Sequence, residues 1–87
     1  MAALSFQIEF VLADRGFVIA RLLEAADFRL TAQSTLAGCA VTAMDMPRAK
    51  NSDGSPRLDL FAFRLRDPAD SARFKVGEVV DLSAWHP

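Results

Sequence analysis

The sequence predicts a small six-stranded antiparallel β-barrel with one short helical turn near 68–73, built as a single β-barrel domain over residues 1–87. Three observations carry that prediction. Short runs rich in Phe, Ile and Val alternate apolar with polar positions, which is the two-residue period of a half-buried strand. Clusters of Gly, Pro, Asp and Asn punctuate those runs at short intervals. A flat sheet of this size would leave two open edges, and closing it into a barrel removes them.

Residues 5–12 open the wall. Phe6, Ile8, Phe10 and Leu12 share one face, with Gln7, Glu9 and Val11 on the other. Asp14-Arg15-Gly16 is a tight turn, because Asp tolerates turn geometry and Gly adopts a positive φ without steric cost. Residues 17–24 then return as the second strand, with Val18, Ala20 and Leu22 on one face. A helix competes for this stretch. Ile19, Leu22, Leu23, Ala26 and Leu30 fall on a helical stripe, and residues 21–26 are good helix formers. The strand is preferred because the run starts Phe17-Val18-Ile19, aromatic and β-branched, and has no Ser, Thr or Asn before it as a cap.

Residues 24–27 form a loop or a single turn. Residues 28–33 alternate again, with Phe28, Leu30 and Ala32 inward, and residues 36–38 connect them to a fourth strand over 39–46. There Cys39, Val41 and Ala43 share one face, and Ala40, Thr42, Met44 and Met46 share the other. Residues 47–56 are the clearest loop, gathering Asn51, Asp53, Gly54 and two prolines at the tip of a long hairpin. The return strand, 58–66, alternates Leu58, Leu60 and Ala62 with Phe61, Phe63 and Leu65. Asp67-Pro68 is a helix-start signal, an acidic cap followed by Pro in the first turn. Residues 79–82 close the wall.

Composition narrows the functional classes. The 87 residues are 52% hydrophobic, which excludes disorder driven by low hydropathy. The net charge of -1 gives no global pull toward nucleic acid or anionic lipid, and no DNA partner is expected. One Cys and one His exclude an internal disulfide and a Cys/His zinc site within one chain. The first residues lack a basic leader pattern, and no apolar run reaches the ~18 residues needed to span a bilayer. A cytoplasmic protein without membrane contact is expected.

The runs 6–12 and 15–21 resemble the opening hairpin of the second domain of elongation factor Tu and related translation factors, with their Phe-x-Val-x-Asp-x-Phe strand followed by Arg-Gly-Thr-Val-Val-Thr-Gly-Arg. Residues 41–48 are similar to the later Val-Thr-Gly-Ile-Glu-Met-Phe-Arg segment, and 59–66 with 74–82 to the closing strands. The order is the same and covers most of the chain. Ala20 stands where those relatives usually carry Gly, and the loop 51–56 is not typical of them. No Gly-x-x-x-x-Gly-Lys-Ser/Thr phosphate loop is present, so the resemblance implies a stand-alone barrel, not a GTPase. Its implied partner class is RNA or a ribonucleoprotein.

Arg48, Lys50 and Arg57 flank the long loop, and Arg64 and Arg66 lie farther along the same hairpin, a candidate strip for phosphates. Interleaved Asp45, Asp53, Asp59 and Asp67 also make this an ordinary mixed surface. Phe61 and Phe63 could stack on bases, but their strand spacing places them in the core. Cys39 has no neighbouring base to lower its pKa and is expected as a small buried hydrophobe. His86, next to last, lacks a rigid seat for general base work. Trp85 is expected to plug a barrel mouth. Catalytic, cofactor-binding and metal-ligating residues are none. The function expected is non-catalytic: an RNA-contacting module, a protein-interaction or homodimer domain using an apolar strip such as Leu22-Leu23, or a small-ligand site in a barrel mouth.

Overall fold

The computed structural model describes residues 3–87. It is a closed antiparallel barrel of six strands: β1 (Leu4–Leu12), β2 (Phe17–Leu22), β3 (Thr35–Leu36), β4 (Cys39–Asp45), β5 (Leu60–Leu65) and β6 (Val79–Ser83). Their order around the wall is β1-β2-β5-β4-β3-β6, and β6 returns to β1 through Leu4↔Leu82 and Gln7↔Val79. Among the described residues, no helix is long and apolar enough to cross a membrane. The reading of the first residues as lacking a leader rests partly on residues 1 and 2, which lie outside the described ones.

Residues 17–22 are strand, as the aromatic and β-branched start predicts, and pair with β1 and β5. The turn before them is a short 3-10 turn, Ala13–Arg15, ending on Gly16 at φ 68°. Glycine is required there twice over. The left-handed backbone disfavours a side chain, and an added Cβ would stand 3.0 Å from the Cα of Pro68. Pro68 opens the second 3-10 turn, Pro68–Arg73, where the Asp67 carboxylate accepts from the Ala69 N–H at 3.0 Å. With buried Ser71 and Phe74, this turn covers the upper end of the barrel.

Phe6 is fully buried at the centre of the core. Its ring meets Phe28, Phe61 and Phe63 edge-on at centroid separations of 5.6, 6.0 and 5.1 Å. Each such pair adds about 0.5–1.5 kcal/mol beyond its buried area. Leu4, Ile8, Val18, Ala20, Leu36, Val41, Leu65, Val80 and Leu82 complete the interior.

Four local readings of the sequence are corrected. Phe10 and Leu12 do not share the inward face of Phe6 and Ile8. The β1–β2 register shifts between Ile8 and Phe10, so Glu9 is an extra residue, and the alternation inverts beyond it. Phe10 is 63% exposed, while Val11 turns to the core. Ala43 likewise leaves the face of Val41, because β4 shifts register between Val41 and Ala43 and brings Met44 inward. A bulge of one residue reverses every later side chain on its strand.

Residues 28–33 are not a strand, and Ala32 is exposed. The hydroxyls of Thr31 and Ser34 explain this. Ser34 Oγ accepts from the Thr31 N–H at 2.8 Å, and both hydroxyls donate to the Ala84 carbonyl, at 2.7 and 2.9 Å. Such side-chain bonds compete with a ladder and curl the chain. The third strand is therefore Thr35–Leu36, and its second residue falls in what the sequence suggests is a connection over 36–38. Finally, the return strand starts at Leu60, and Leu58 belongs to the loop.

Candidate functional site

The lower end of the barrel is where β1 begins and β2 and β4 end. Residues 23–33 cross beneath it from β2 to β3, tied by Leu23 N–H to the Ser5 carbonyl at 3.1 Å and by a backbone bridge between Arg29 and His86. Phe28 rises from this segment and closes the barrel floor against Phe6 and Phe61. Trp85 is half-buried against the same core.

Opposite lies the 46–59 loop, which is folded on itself. Lys50 and Pro56 form a backbone bridge, Asn51 N–H donates to the Ser55 carbonyl at 2.8 Å, and Arg57 N–H to the Ala49 carbonyl at 2.9 Å. The Asp53 carboxylate accepts from the Ser55 hydroxyl at 2.6 Å and its N–H at 3.0 Å. Those bonds hold its pKa below the ordinary carboxylate value. Arg57 fastens the loop to the wall by ion pairs to Glu9 at 3.6 Å and Asp59 at 3.4 Å.

Between these two segments runs an open groove of about 830 Å³. Leu22, Phe28 and Phe61 lie along it, with Leu23, Met46 and Leu58 at its lips. Behind the loop is a second hollow of about 360 Å³, bordered by Pro47, Arg48 and Lys50. Leu58 lines both and stands between them as a ridge, 71% exposed. Leu23 and Met46 are 42% and 46% exposed. Glu24 and Asp27 edge the first hollow, and Arg48 and Lys50 the second. A concave, largely apolar surface with a few polar groups at its margin is the usual form of a binding site.

The candidate cations do not form one strip. Arg48, Lys50 and Arg57 meet at the lower mouth, but Arg57 is engaged by its two carboxylates. Arg64 lies farther up β5, its guanidinium 5.4 Å from the centroid of the Phe17 ring. Arg66 lies beyond the upper end of β5 and donates to the Ala32 carbonyl at 3.4 Å. The six residues of β5 span about 20 Å, which separates Arg66 from the loop.

Phe61 and Phe63 are buried, as their spacing predicts. Cys39 is a buried free thiol, and burial, with the Asp70 carboxylate adding, pushes its pKa up. His86 is exposed, its Nδ1 2.9 Å from the Pro87 carbonyl. Among the described residues, no group of three or more His, Cys, Asp or Glu could hold a metal ion.

The groove itself was only partly visible in the sequence. Leu22-Leu23 stands out as an apolar pair. Leu58 does not, because it continues the alternation of β5 and lies outside the loop that Pro47 and Pro56 bound in the sequence. Comparison with protein families, with characterised proteins and with solved structures finds no match for this chain.

Proposed function

We propose that the chain is a non-catalytic β-barrel binding module that takes a protein surface at its lower mouth. One observation carries the reading: Leu58, Leu23 and Met46 are exposed together around a groove lined by Leu22, Phe28 and Phe61. Scattered exposed hydrophobes are ordinary, but contiguous ones around a concavity mark interaction sites. Cys39 is buried and His86 sits on the terminal bridge, so neither is poised as nucleophile or base. A cytoplasmic setting is part of the proposal, since a lone unpaired thiol suits a reducing compartment. Contact with RNA is the lesser reading. It rests on the resemblance to translation barrels and on Arg48 and Lys50, which are exposed and in no ion pair among the described residues.

The test uses peptides selected from a displayed random library on the immobilised protein. They are expected to shift backbone amide resonances within 22–28 and 46–59. Leu58→Asp removes a leucine whose full burial contributes about 1.5–3 kcal/mol and is expected to weaken them at least ~10-fold. Its amide spectrum outside the mouth should be unchanged, because the side chain is exposed on the single chain. Shifts confined to the outer wall around Phe10 and Ile19 would contradict the proposal. Resonances near Arg48 and Lys50 that move with single-stranded polyuridylate and return with added salt would favour RNA instead.

A further inference from the structure

We infer that the protein surface received at this mouth is a second copy of the same chain, docked across a two-fold axis. The inference rests on the proposed reading of the mouth as a binding face and adds the identity of its partner. The argument starts from charge. Glu24 and Asp27 edge one hollow, Arg48 and Lys50 edge the other, and the Leu58 ridge stands between them. All four charged residues are exposed. None makes a side-chain ion pair among the described residues, whereas Arg57, between the lips, has two.

An apolar ridge with an acidic lip on one side and a basic lip on the other is complementary to itself when turned by a half rotation. Each Leu58 then enters the partner's larger hollow, and each acidic lip meets the partner's basic lip. A two-fold interface requires such self-complementarity, because the same patch serves both subunits. A unipolar partner, such as a phosphate backbone or an acidic peptide, would satisfy one lip and leave the other opposed.

Size agrees. A standard interface takes about 800 Å² and 20–30 residues from each partner. The two hollows are bordered by 18 residues, just under that range, and about 800 Å² is a modest part of the 5475 Å² surface. Closure of the barrel also leaves side chains rather than a long open strand edge to make the contact.

The experiment is sedimentation equilibrium on the full chain and on two charge-reversed variants. One carries Glu24→Lys and Asp27→Lys, the other Arg48→Glu and Lys50→Glu. Native chain is expected to sediment as a dimer that weakens as salt rises. Each variant alone brings like charges together at both lips, and its dimer should dissociate at least ~10-fold more readily. An equimolar mixture of the two restores opposite charges at both lips and should recover the dimer. Leu58→Asp should be monomeric with an unchanged amide spectrum outside the mouth.

A monomer at all concentrations overturns the second-copy inference. So does a dimer that survives Leu58→Asp, or a mixture that fails to reassociate. If selected peptides still bind the mouth of a monomeric chain, the binding-face reading stands without this inference. If neither peptides nor a second copy occupy the mouth, both fall.

Discussion

Phe6 shows how one side chain organises the interior. It is fully buried and touches three other phenylalanine rings drawn from β5 and from the crossing segment, so wall and floor are fixed by the same ring. Cys39 shows the opposite case, a reactive atom type made inert by position. Because its thiol is pushed above the ordinary value, chiefly by burial, it stays protonated in the folded protein where an unfolded chain has begun to ionise. The sign follows: this group favours folding below the ordinary thiol pKa, and that preference is lost as pH rises through the folded value. Alkylation by iodoacetamide at about pH 8 is therefore expected to be slow on native protein and fast in denaturant. Rapid modification of the native thiol would contradict this. Both residues were legible from their neighbours: Phe6 from alternation, Cys39 from the lack of any adjacent base.

At the scale of elements, the strands that pair over their full length were read most faithfully. β2 alternates over residues 17–21 and β5 from Phe61 onward, and their inward rows, Val18 with Ala20 and Phe61 with Phe63, match the sequence pattern, although Leu60 is buried as well. β1 and β4 were read correctly only up to their bulges, because an extra residue in a ladder leaves no compositional mark. The missing strand at 28–33 has a different cause: alternation was present, but two hydroxyls redirected the backbone. Ser34→Ala tests that account. It removes the acceptor for the Thr31 N–H and one donor to the Ala84 carbonyl, and should cost about 1–3 kcal/mol in chemical denaturation. Amide exchange should quicken at Thr31. An unchanged midpoint would show that the turn is held by something else.

The whole molecule combines a near-neutral charge with uneven placement of its apolar surface. The net charge of -1 argued against a global attraction to phosphate, and the structure spreads the candidate cations from the lower mouth to the top of β5. Binding capacity was hard to see in the sequence because the groove is assembled from two segments far apart in the chain. Its residues, Leu23 and Leu58 above all, are unremarkable until closure brings 22–28 opposite 46–59.

That closure depends on β3, only two residues long, which joins β4 to β6 and anchors the crossing segment. The measurement that tests the account most directly is a set of cross-strand nuclear Overhauser effects along this seam. The account predicts contacts between Thr35 and Ser83 and between Leu36 and Cys39, alongside those of the β1–β2 hairpin. An intact β1–β2–β5–β4 sheet with neither seam contact would be an open sheet, and the mouth described above would not exist.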